Sequence, residues 1–121
     1  MSLPPIQLVP EDDTHRAPVG TGFANRISKH TGFKDLSAGF MEFLEDTETD
    51  PWTAPYEEIM YVIKGELTLR SDGVEITAKE GEVASVEKGA TLTYQAPAGT
   101  KLFFSLTPAD WQERLAAEGK A

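Results

Sequence analysis

Short runs of strand-forming residues recur every 8 to 12 residues from Leu36 onward, with turn signals between them. The first is Gly39 to Leu44 within LSAGFMEFL, where aromatic and aliphatic residues surround a single charge, and the polar loop EDTETDP follows it. Ile59 to Ile63 (IMYVI) is apolar throughout, and Gly65 turns it into Glu66 to Arg70 (ELTLR), whose Leu67 and Leu69 share one face. Ser71, Asp72 and Gly73 form a hairpin signal ahead of Val74 to Ala78 (VEITA). Val83 to Val86, Thr91 to Tyr94 and Thr100 to Leu106 (TKLFFSL) complete the series, separated by turns at Gly89 and Gly99. This spacing predicts an all-β sandwich or closed barrel.

Both ends depart from that rhythm. Residues 1 to 22 carry Pro4, Pro5, Pro10, Pro18, Gly20 and Gly22 with the acidic Glu11, Asp12 and Asp13, which predicts an extended arm, loose or laid along another surface. Phe23 to Phe33 (FANRISKHTGF) is ambiguous. In the tail, Thr107, Pro108 and Asp110 supply helix-start signals, and Trp111 and Leu115 stand four apart. They predict a short helix over about Pro108 to Ala117, with Trp111 packed on the outside of the barrel. The expected organisation is an N-terminal arm with the first edge strands over 1–35, a barrel over 36–107, and a C-terminal helix and tail over 108–121.

Composition narrows the function. The 121 residues suit one domain, and 20 acidic against 11 basic side chains give a net charge of −9. Such a surface repels phosphate backbones and anionic lipid, so neither nucleic acid nor membrane is an expected partner. There is no cysteine, hence no disulfide, thiolate metal site or cysteine nucleophile, and the N-terminus lacks the features of a signal peptide. A soluble cytoplasmic protein is expected.

Two stretches carry the candidate chemistry. Trp52 to Gly65 reads WTAPYEEIMYVIKG, and Gly81 to Pro97 reads GEVASVEKGATLTYQAP. They resemble the two cupin motifs. Glu58 followed by six residues and Gly65 matches the second half of the first motif, Gly81 and Gly89 match the glycines of the second, and fifteen residues separate the two. The histidine positions hold Pro51 and Thr53, or Trp52 and Ala54, and Leu92 in the second motif, so only Glu58 remains of the usual metal-binding set. A lone carboxylate is not a transition-metal site.

A closer resemblance is to cupins of the ethanolamine-utilisation protein Q (EutQ) type. It is carried by AGFMEF at Ala38 to Phe43, PWT at Pro51 to Thr53, Tyr56, Glu58, GEL at Gly65 to Leu67, AKEGEV at Ala78 to Val83, Lys88 with Gly89, and PADWQ at Pro108 to Gln112. Glu87 departs from the pattern, where a proline would stand. The resemblance implies a cupin, RmlC-like jelly-roll β-barrel closed by a short C-terminal helix, and a link to ethanolamine and acetate metabolism.

By that resemblance Glu58 and Tyr94 lie inside the barrel. Alternation then puts Met60 and Val62 on the face of Glu58, and Leu92 and Ala96 on that of Tyr94, with Phe40 or Met41 and Phe103 or Phe104 completing an apolar pocket. Glu57 points the other way. A desolvated Glu58 has its pKa raised and can act as an acid, a base or a ligand anchor; the alternative is a relic that only hydrogen-bonds Tyr94 or a backbone amide. Trp52 and Tyr56 fall at the mouth, to stack on a ligand or to cover the barrel end. The expected ligand site is therefore Glu58 as the catalytic candidate with Trp52, Tyr56, Met60, Leu92 and Tyr94.

No cofactor and no metal residue is expected, although the eight acidic residues between Asp35 and Ile63 suit a hard divalent cation such as magnesium. His30 or His15 folding over the mouth is a further candidate. The expected function is binding or conversion of a small molecule around Glu58, with a non-catalytic regulatory or assembly role through the surface as the alternative. A homodimer is expected, the proline-rich arm crossing onto the partner.

Overall fold

A computed structural model describes residues 3–119, so positions 1–2 of the expected arm and 120–121 of the expected tail lie outside the described residues. In chain order the strands are β1 (Arg16–Val19), β2 (Gly22–Asn25), β3 (Ser37–Phe43), β4 (Thr47–Glu48), β5 (Trp52–Thr53), β6 (Glu57–Lys64), β7 (Glu66–Ser71), β8 (Val74–Lys79), β9 (Val83–Val86), β10 (Thr91–Ala96) and β11 (Lys101–Thr107), followed by helix α1 (Trp111–Ala117). A short 3₁₀ turn over Ile27–His30 links β2 to β3.

The strands form two antiparallel sheets. One runs β1-β2-β3-β11-β6-β9, the other β4-β10-β7-β8, with β5 also pairing to β10. Apolar side chains from the facing surfaces close the core between them, with Phe43, Met60, Leu102 and Phe104 from the first sheet against Leu67, Leu69 and Leu92 from the second. Strand β6 shows how the register is set. Glu58, Met60 and Val62 are buried, whereas Ile59, Tyr61 and Ile63 face outward and are exposed. Its apolar run is continuous because both faces are hydrophobic, not because both are buried.

Two turns depend on backbone that most residues avoid. Asp72 and Gly73 both have positive φ (48° and 77°), as a two-residue type I′ hairpin between β7 and β8 requires. Gly65, between β6 and β7, has φ of 84°, and a Cβ there would stand 2.9 Å from the Cα of the fully buried Thr100. Only glycine satisfies both the dihedral and the close approach.

The edge strands expected within 1–35 are β1 and β2, a hairpin that pairs with β3 of the same chain, so the extended arm expected over 1–22 gives way to strand at Arg16. Pro18 is accommodated because β1 is the edge strand, where a missing N–H breaks no ladder. The preceding residues are held to this chain by Lys101 Nζ on Glu11 Oε1 (2.6 Å), His30 Nε2 with Asp12 Oδ1 (2.9 Å) and Asn25 Nδ2 donating to the Asp12 carbonyl (2.6 Å). The helix also begins later than expected, at Trp111. The first helical bond runs from Arg114 N–H to the Asp110 carbonyl (3.0 Å), while Ala109 N–H donates to the Asp35 carbonyl (2.9 Å) and ties the segment before the helix to the chain entering β3. Among the described residues no helix is long and apolar enough to cross a membrane.

Candidate functional site

Glu58 lies on β6, with Leu106 of β11 opposite it on one side and Val86 of β9 on the other. Both cross-strand neighbours are hydrocarbon, so the carboxyl group, only 5% exposed, has lost most of its water. Burial pushes its pKa up from 4.5 to about 7, against the opposing pull of one hydrogen bond from Tyr94. That bond runs from Tyr94 Oη to Glu58 Oε1 at 3.0 Å. Tyr94 is fixed in turn by its backbone, which exchanges hydrogen bonds with Thr49 in the β4–β5 loop: Tyr94 N–H to Thr49 Oγ1 and Thr49 N–H to the Tyr94 carbonyl, each 2.9 Å. Burial, and then the neighbouring Glu58 charge, raise the Tyr94 phenol well above its usual range.

Glu58 and Tyr94 face a cavity of about 450 Å³. Met41, Phe43, Phe104 and Leu106 form apolar parts of its wall, and Pro18 and Val19 of the N-terminal hairpin cover one side. The choices left open along the chain resolve as Met41 and Phe104 inward; Phe40 and Phe103 pack edge to face on the opposite surface, ring centres 5.3 Å apart.

Three aromatic rings make the mouth. Trp52 Nε1 donates to Tyr56 Oη at 3.1 Å, which turns the Tyr56 proton away from the indole. Burial raises the Tyr56 phenol as well, with the Glu58 charge adding to it. Trp111 of α1 stands edge to face against both, with ring centres 5.9 Å from Trp52 and 5.3 Å from Tyr56. This corrects the expected placing of Trp111: the helix face does pack on the barrel, but at its opening, where the ring is part of the cavity wall.

Of the sequence-expected ligand residues, the structure brings together Glu58, Trp52, Tyr56 and Tyr94 and leaves out two. Met60 and Leu92, 0% and 4% exposed, are closed into the core and do not line the cavity. His30 and His15 are also outside it, edge to face with ring centres 4.7 Å apart, beside Asp12. The acidic stretch is dispersed: Glu48 pairs with Arg70 (3.0 Å) and Asp46 Oδ1 accepts from Ala98 N–H (2.8 Å). Among the described residues no group of three histidine, aspartate or glutamate side chains is placed to hold a metal ion.

The residues missed are Arg26 and Gln112. Arg26 follows β2 at the rim of the cavity, its guanidinium 5.8 Å over the Trp111 ring and its Nη1 donating to Gln112 Oε1 at 3.3 Å. It lies in the stretch whose pattern was ambiguous, too short between strand and 3₁₀ turn to show a period.

Comparison with known proteins agrees with this architecture. A family model described as ethanolamine utilisation protein EutQ matches residues 15–113. The chain is 33% identical over 91 residues to the acetate kinase EutQ of Salmonella typhimurium, a match covering 75% of this chain and 38% of that one. The chain thus spans well under half the length of that curated relative. The solved Clostridium difficile EutQ protein is similar at 27% identity with a TM-score of 0.69, over 88% of this chain and 79% of that one. An RmlC-like cupin from Shewanella frigidimarina, at 23% identity and TM-score 0.63 over 75% of this chain and 79% of that one, shares the fold.

Proposed function

Because the chain belongs to the ethanolamine utilisation protein EutQ family, we propose that its barrel cavity is a small-molecule site serving that metabolism, with Glu58 as the group that anchors the ligand or moves its proton. The observation that carries this reading is a carboxyl group raised to about 7 at the wall of a mostly apolar cavity, held by one tyrosine. A group that titrates near neutrality is suited to proton transfer in either direction. The acetate kinase activity named for the longer relatives involves phosphoryl transfer, which calls for several cations around the transferring group. Arg26 is the one lysine or arginine in the cavity wall among the described residues, so binding and proton transfer at Glu58 are the roles this cavity favours.

The test is a thermal-shift screen of small metabolites against the chain and its Glu58→Gln variant. At least one compound is expected to raise the Tm of the parent and to lose most of that effect on the variant. A screen in which no compound acts, or in which every one acts equally on both proteins, overturns the role given to Glu58.

We also propose that two copies pair through the outer face of the six-stranded sheet. Ile59, Tyr61 and Ile63 of β6 and Val83 of β9 are all exposed there, a contiguous apolar face that favours a covering partner. Sedimentation is expected to give twice the 13.2 kDa of one chain, and Tyr61→Asp is expected to return it to the monomer. A parent chain that sediments as a monomer at high concentration contradicts this pairing.

A further inference from the structure

Arg26 has a charge that nothing in the cavity balances. Among the described residues no carboxylate lies within ion-pair distance of its guanidinium, although the cavity contains Glu58 and the exposed Asp50. The side chain is nevertheless aimed at the mouth, its guanidinium 5.8 Å from the centre of the Trp111 ring and Nη1 donating to Gln112 Oε1 at 3.3 Å. A guanidinium has five N–H donors in a rigid fork, so most of them remain for a ligand.

The other polar groups point to the same chemistry. Tyr56 accepts from Trp52, which leaves its own proton to point away from the indole. Glu58, near neutrality, is held partly as the neutral acid, so an anion entering the cavity does not meet a full negative charge there. A cationic ligand, by contrast, would meet the like charge of Arg26 beside Trp111 at the mouth. The remaining wall is hydrocarbon, and about 450 Å³ is many times the roughly 30 Å³ share of one water molecule. An anion as small as acetate would leave most of that space wet.

We propose that the cavity takes a small organic acid with an apolar body larger than two carbons, its carboxylate bound by Arg26 at the mouth and its body lying against Met41, Phe43 and Phe104. The inference rests on the reading of the cavity as a small-molecule site and names the class of ligand for it. Arg26 is the residue that selects charge, and the hydrocarbon wall selects an apolar body.

The two tryptophans of the chain both belong to the mouth, so intrinsic fluorescence reports on this site directly. Titration with cyclohexanecarboxylate is expected to give a saturable fluorescence change. Cyclohexylamine, the same body with the opposite charge, and acetate, the same charge without the body, are each expected to bind at least about tenfold more weakly. Arg26→Met is expected to weaken the carboxylate by about tenfold or more, the worth of a charge-assisted hydrogen bond. Arg26→Lys, which keeps the charge without the fork, is expected to lie between, and circular dichroism checks that both variants are folded.

Equal or tighter binding of cyclohexylamine overturns the proposal and leaves the small-molecule reading standing. A carboxylate affinity that is unchanged in folded Arg26→Met, or matched by acetate, also overturns it. Binding of the carboxylate that is indifferent to Glu58→Gln instead removes the role of Glu58 and leaves this inference in place. No response to any of the three probes removes both.

Discussion

Glu58→Gln is expected to stabilise the fold at pH 8 by up to about 3 kcal/mol, even though it removes the central group of the cavity. The sign follows from the direction of the shift. In the unfolded chain the carboxyl titrates at the ordinary 4.5, and in the folded chain at about 7. Between those values the folded state binds the extra proton, so the contribution of Glu58 is fully present below about 4.5. It is lost progressively as pH rises through about 7, and above that the buried carboxylate is ionised with only Tyr94 to hold it.

Glutamine resembles the neutral acid in shape and can still accept from Tyr94, so the variant should lack this loss. Urea unfolding of both proteins from pH 4 to 8 separates the effect from that of the other carboxylates, which the two share. The curves should coincide near pH 4.5 and diverge towards pH 8, the variant above. Equal stability at pH 8 would mean that Glu58 is hydrated in the folded protein and that the cavity is wetter than its wall implies. A gain in stability joined to a loss of ligand binding is the pattern of a residue retained for function rather than for the fold.

Much of the barrel was legible because its strands are regular. Val83 to Val86 agrees residue for residue with β9, and the hairpin at Asp72 and Gly73 was set by residue types that accept its positive φ values. Glu58 and Tyr94 were brought together by alternation on two strands combined with the family resemblance. What escaped notice had no period to show. β4 and β5 are two residues each and exist only because β10 offers them hydrogen bonds. β1 contains a proline that local rules count against a strand, and only its position at the sheet edge makes it harmless. Trp111 was placed on the correct element, but a helical period says which face is apolar and not which surface of the barrel it will meet. Arg26 became a cavity residue only through the pairing of β2 with β3, whose register runs from Asn25 opposite Phe40 to Gly22 opposite Phe43, beyond the reach of any local pattern.

Phe104→Ala is expected to cost about 3–5 kcal/mol, a large part of the roughly 5–15 kcal/mol that holds a domain of this kind together. Phe104 sits at the centre of β11, 2% exposed, with Met60 opposite it on β6 and Gly39 opposite it on β3. Gly39 has no side chain to move into the space, and a larger residue there would strike the backbone of Asn25. The gap left by the ring would therefore persist and merge with the existing cavity, which places the cost towards the upper end. Its neighbour Phe103 is the control. That ring lies on the outer surface against Phe40, half-buried, and Phe103→Ala is expected to cost only about 1–2 kcal/mol. Urea unfolding of the two variants at one pH decides the matter, because adjacent residues of identical chemistry differ here only in the face they occupy. A larger loss for Phe103 would mean that β11 is shifted by one residue, and with it the pairing that puts Leu106 beside Glu58.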